Sequence, residues 1–157
     1  MDISTLNKDM LEVLVRQIIE ENLNGSKNNI DFNRHKDISG ITSIKLPRVK
    51  VDESNRLDTG NPNDIVYTKD LFTLEESPRL GCGIMEMKET TFDWTLNYDE
   101  VDYIIEGTLD ILIDGRKITA SEGELILIPK GSSIKFSVPN YARFIYVTYP
   151  ADWESQK

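Results

Sequence analysis

Residues 98–102 read Tyr-Asp-Glu-Val-Asp, three carboxylates and a phenol set into the otherwise aromatic and aliphatic run FDWTLNYDEVDYIIEG at 92–107. Strand alternation puts Glu100 and Asp102 on one face with Ile104 and Glu106, and Val101, Tyr103 and Ile105 on the other. On pattern alone that acidic face looks outward to water, with the apolar set turned to the core. Were it to point inward, two neighbouring carboxylates in a dry space could not both ionise cheaply. The pair would hold a proton or a cation. Glu100 and Asp102 are therefore the first candidates for chemistry, with Asp99 and Glu86 further out. Trp94, Tyr98 and Tyr103 are the aromatic candidates for ligand contact.

The rest of the inventory narrows what that chemistry can be. One histidine, His35, and one cysteine, Cys82, cannot supply a tetrahedral zinc site. No histidine-based or transition-metal site is expected, and any metal would need oxygen ligands, which favours Mg²⁺ held by Glu100 and Asp102. Phosphoryl transfer would use such an ion, yet the chain has no G-x-x-x-x-G-K-[ST] loop, and PKGSS at 129–133 is only a corner with a lysine. Lys88, Lys135, Arg116 and Arg143 are the available cations, and nothing selects one; Lys88 and Lys135 read as solvent-facing. A different chemistry is also open. Trp94, Leu96, Phe136, Met85 and Met87 around one or two acids would suit a small cationic or polyol ligand, although the methionines read first as core filler. His35 reads as an exposed loop residue and Cys82 as a small buried one.

Two kinds of segment must position these residues. Over 5–24, apolar residues at Leu6, Met10, Leu11, Leu14, Ile18 and Leu23 have the spacing of an amphipathic helix, followed by the polar linker GSKNN. That helix either docks on its own domain or presents its apolar face to a partner. From about residue 42 the period becomes 2, and ten short runs rich in β-branched and aromatic residues follow, separated by Gly, Pro, Asn, Asp and Ser. Asp114-Gly115 signals a two-residue hairpin, Pro47 inside the first run suggests an edge strand, and Pro129-Lys130-Gly131 ends what reads as a strand buried on both faces. The whole predicts an all-β antiparallel barrel or sandwich behind a helix. The division expected is 1–30 for helix and linker and 31–157 for the barrel. The tail ADWESQK reads as a polar end with one aromatic.

A formal net charge of -9, from 18 basic and 27 acidic residues, argues against nucleic acid, whose phosphates need clustered Lys and Arg. No run approaches the length of a membrane span, and no basic leader with an apolar segment is seen. The cytoplasm is the expected address, in keeping with a single thiol.

Glu100 followed by Gly107, then Gly123, Pro129 and Gly131 in GELILIPKG, resembles the two motifs of the cupin family. The resemblance implies a jelly-roll barrel, with the residue matching Glu100 pointing inward and Asp102 beside it. It departs at the metal ligands. The family's histidines fall on Ile134 and on either Trp94 and Leu96 or Asp93 and Thr95, and alternation favours the first register. MLEVLVRQIIEE, FDWTLNYDEVDYIIEGTLDILIDG, IPKGSSIKF and ARFIYVTYPADW further resemble the EutQ family, cupin proteins of bacterial ethanolamine-utilisation operons. That resemblance implies an acetate kinase, converting acetyl phosphate and ADP to acetate and ATP. It also implies association with a bacterial microcompartment, residues 1–24 meeting shell or cargo proteins. The alternatives are a small-ligand-binding protein, with ethanolamine as the ligand, or a non-catalytic assembly factor built on a homodimer.

Overall fold

A computed structural model describes residues 34–156, together with Glu12, Val15 and Arg16. The helix expected over 5–24 and its linker lie outside the described residues, apart from those three. They are helical, with the Arg16 guanidinium 3.2 Å from Glu12. The chain divides into two compact units, one up to Arg48 and one from Val49 onward.

In the first unit β1 (Arg34–Lys36) pairs antiparallel with β2 (Thr42–Ile44), placing exposed His35 opposite Ser43. The edge strand expected through Pro47 is not formed. Leu46–Arg48 is a 3-10 turn, because the fixed φ of proline suits a turn and its missing N–H removes a ladder bond.

In the second unit the strands are β3 (Ile65–Asp70), β4 (Gly81–Thr95), β5 (Asp99–Ile113), β6 (Arg116–Ser121), β7 (Leu125–Ile128) and β8 (Ser133–Tyr149). Several expected pairs of short runs are single long strands: two runs merge in each of β4, β5 and β8. Hydrogen bonding follows the order β3-β4-β8-β5-β6, and β7 pairs with the first half of β5. Among the described residues no ladder joins β6 or β7 back to β3. The barrel is therefore not closed; one antiparallel sheet wraps around a core that includes Met87, Leu96, Ile104, Leu109, Phe136 and Phe144.

Bulges set which side chains enter that core. Glu89 (φ 45°) interrupts the β4–β8 register between Lys88 and Thr90, so the inward series shifts from Met85 and Met87 to Thr90 and Phe92. In β5 the register with β8 slips between Ile104 and Glu106. Glu106 is thereby exposed instead of sharing the face of Glu100. Gly107 sits in this irregularity at φ 79°, not in a turn, and a Cβ there would lie 2.0 Å from the Tyr141 carbonyl oxygen. Asp114-Gly115 makes the expected hairpin, both residues at positive φ. The strand before Pro129 is buried on one face only, since Leu125 and Leu127 are exposed while Ile126 and Ile128 are not.

Candidate functional site

Alternation along the start of β5 sends Glu100, Asp102 and Ile104 inward. The neighbours follow from register. On one side β8 places Thr148 opposite Glu100 and Tyr146 opposite Asp102. On the other β7 places Ile128 and Ile126 against the same two residues. All of these are buried, and Asp102 is fully so. The inward reading of the acidic face holds.

Few donors meet these carboxylates. Glu100 Oε1, both Asp102 oxygens and Thr148 Oγ1 are buried without a conventional partner in the structure. Glu100 and Asp102 lie within hydrogen-bonding reach of each other. Two acceptor oxygens so placed bond only through a proton carried by the pair itself. Burial, foremost, pushes Glu100 up to about 7, offset in part by hydrogen bonds from Asp102 and the Tyr98 hydroxyl. Burial also raises Asp102 well above the usual carboxylate range, and the Glu100 charge adds to the rise. Burial and mutual repulsion therefore resist ionisation of both groups, and the pair carries at most about one negative charge.

Above the pair stands an aromatic collar. The Trp94 indole N–H donates to the Tyr98 hydroxyl at 2.8 Å. Trp153, from the segment after β8, lies with its ring centroid 5.8 Å from Tyr98 and 6.3 Å from both Trp94 and Tyr146. Phe92 stacks on Phe136 at 5.5 Å. The Tyr146 hydroxyl is directed away, donating to Asp70 at 2.6 Å, and burial above all raises its pKa. Two cavities share this collar. The inner one, which Glu100 lines, has a free volume of about 10 Å³, the space of one water. The outer one is open, has a volume of about 560 Å³, and is lined by Asp58, Asp93, Asn97, Glu154 and Gln156. Leu57, Trp94, Tyr98 and Trp153 line both.

The other residues singled out by sequence lie apart from the pair. Asp99 is exposed and accepts from the Lys130 backbone N–H at 2.9 Å. Tyr103 is on the outer face, 44% exposed. Glu86 is on the face opposite Met85 and pairs with Arg143, which also donates to the Val49 carbonyl. Lys135 pairs with Asp93 at 2.7 Å, Arg116 with Asp114 at 3.2 Å, and Lys88 is exposed. Cys82 is half-buried with its pKa raised by burial, the reverse of what a nucleophilic thiol needs. Among the described residues no three His, Cys, Asp or Glu side chains are placed to hold a metal ion. Sequence reasoning missed Tyr146, Thr148 and Trp153, which strand register and the course of the C-terminal segment bring to the site.

Residues 6–155 match the family described as ethanolamine utilisation protein EutQ. The chain belongs to the EutQ family. A EutQ protein of Clostridioides difficile (strain 630), named acetate kinase EutQ, is 78% identical over 156 residues, covering 99% of each chain. The acetate kinase EutQ of Salmonella typhimurium is 36% identical over 75% of this chain but only 51% of its own length. The solved structure of Clostridium difficile EutQ has a TM-score of 0.80 at 82% identity, covering 82% of this chain and 94% of that one. The Cnp3 cupin domain of Schizosaccharomyces pombe has a TM-score of 0.54 at 14% identity, covering 73% of this chain and 77% of that one. That likeness is one of fold alone, and it gives this EutQ member a cupin-like architecture. The EutQ chain has no helix among its described residues long and apolar enough to cross a membrane.

Proposed function

We propose that this chain is an acetate kinase of ethanolamine utilisation, interconverting acetyl phosphate and ADP with acetate and ATP. The observation that carries the reading is its 78% identity, over 99% of both chains, to a protein named for that activity.

The geometry bears on where such chemistry would take place. The inner cavity of about 10 Å³ has no room for a phosphoryl group, nor for Mg²⁺, which keeps several waters when it binds phosphates. Glu100 and Asp102 do not fit as its ligands in this reaction. The open cavity has the size of a small-molecule site. Its indole edges, Trp94 and Trp153, suit a nucleobase. Its lining contains Asp58, Asp93 and Glu154 and no Lys or Arg, so it favours a nucleotide that arrives as the Mg²⁺ complex. In this reading substrates occupy the outer cavity, and the protein contributes position and charge placement.

The test is ATP formation from acetyl phosphate and MgADP by the purified full chain, with Asp93→Asn and Trp94→Ala beside it. Turnover that needs Mg²⁺ and falls at least about ten-fold in either variant supports the outer cavity. No ATP formation by well-folded protein sinks the kinase reading.

The proposal extends to cellular context. Residues 1–24 address the protein to the microcompartment, and a fluorescent protein carrying them as a fusion would concentrate there; diffuse fluorescence would reject this.

A further inference from the structure

The inner cavity raises a question that phosphoryl transfer leaves unanswered: why the buried carboxyl of Glu100 lines a water-sized space with so little to bond to, next to an equally buried Asp102. Glu100 Oε1, Asp102 Oδ1 and Oδ2, and Thr148 Oγ1 lack conventional partners. Asp102 is completely buried, Thr148 1% exposed and Glu100 4% exposed. An unpaired buried acceptor is costly, and more so when charged. Such a cluster is costly in an empty site and suited to a donor-rich guest.

We propose that the Glu100–Asp102 pair is a binding site for the ammonium head of a small primary amine. The match is one of bonding, charge and size. A primary ammonium has N–H donors and no acceptor, the complement of the Glu100 carboxyl, which lines the cavity with one oxygen unpartnered and has Asp102 within hydrogen-bonding reach. A pair that shares one proton has one negative charge, which a monocation neutralises. The free volume of about 10 Å³ takes a single heavy atom with its hydrogens. A trimethylated ammonium is several times too large. Mg²⁺ fits poorly, because it demands six oxygens and sheds water reluctantly, whereas Ile126 and Ile128 wall one side of the pair.

The collar supplies the rest of the recognition. The tail of the amine must leave past Leu57, Trp94, Tyr98 and Trp153, the residues common to both cavities. Aromatic faces attract an organic cation that is shedding water. Trp153 is the movable member. It lies outside the sheet, on a short turn in which Ser155 and Gln156 donate to Asp152. Displacing that turn breaks no strand ladder. The site goes beyond the kinase reading and does not depend on it: ATP formation can fail while the amine still binds, and the reverse.

The experiment is calorimetric titration of the full chain with ethanolamine, choline and MgCl₂ in separate runs. Ethanolamine binding saturably, choline not binding, and Glu100→Gln or Asp102→Asn weakening the amine at least about ten-fold is the expected result. The choline comparison is made on the unaltered protein, so it decides even if a variant fails to fold. No saturable heat with ethanolamine would overturn the proposal. So would equal binding of choline, which would put the amine outside the collar, or Mg²⁺ binding that excludes the amine.

Discussion

The Trp94 indole nitrogen donates to the Tyr98 hydroxyl at 2.8 Å, and this bond joins the end of β4 to the residue just ahead of β5 across the mouth of the acidic pocket. The same hydroxyl reaches Glu100, so one phenol bridges an indole and a buried carboxyl. Replacing Trp94 by Phe takes away the donor, and replacing Tyr98 by Phe takes away both partners. Each substitution is expected to lower stability by about 1 kcal/mol from hydrogen bonding alone. A double-mutant cycle in urea should show a coupling of the same order, and strict additivity would deny the bridge.

Burial of Glu100 predicts a stability that depends on pH. Its carboxyl is raised from 4.5 to about 7 on folding. Between those values the folded chain holds a proton that the unfolded chain has released. The contribution is fully present below pH 4.5 and is lost as pH rises through 7. The loss amounts to about 3 kcal/mol at most. Denaturation at pH 5 and pH 8 should show this fall in the native chain and a flatter profile in Glu100→Gln. An equal slope in both proteins would assign the effect elsewhere.

Gly107 should not tolerate a side chain. Its positive φ and the Tyr141 carbonyl oxygen 2.0 Å from a Cβ position act together. Gly107→Ala is expected to cost about 3 kcal/mol or more, through strain and the shift of β5 against β8. Gly115, also at positive φ but facing open space, should cost only about 1 kcal/mol when replaced by Ala. Melting temperatures of the two variants, compared directly, check the ranking.

The outer face of β5 and β7 carries Tyr103, Leu125 and Leu127, exposed by 44%, 64% and 62%. The homodimer expected from the sequence would be built on this face, where cross-strand pairing sets Tyr103 beside Leu125. Leu127→Asp should convert a dimer to a monomer in sedimentation velocity and leave the β-sheet circular dichroism unchanged. A native chain that sediments as a monomer rejects the dimer.

Much of the architecture was legible because period-2 alternation survives wherever one face is buried. Ile134, Phe136 and Val138 alternate inward as their spacing predicts. The Asp114-Gly115 turn follows from two residues that tolerate positive φ. Alternation breaks down at bulges, which change phase without a strong local signal. Glu106 was misplaced for that reason, and Glu89 hides the equivalent shift in β4. The inward orientation of Glu100 and Asp102 came from motif resemblance, because an alternating acidic face looks the same whether it meets water or a pocket. Trp153 was invisible as part of the site. Its segment has no period, and what it covers depends on where the end of β8 delivers it. The open edge of the sheet was equally hidden, since strand runs do not encode which edges meet.

The chain contains two tryptophans, and both belong to the collar, their rings 6.3 Å apart. The protein's tryptophan emission therefore originates entirely at the doorway between the two cavities. Opening that doorway should shift the spectrum to the red as the Trp153 indole meets water, and closing it should shift the spectrum back. The unlabelled protein thus contains an optical gauge of its own gate, one that stopped-flow mixing can time.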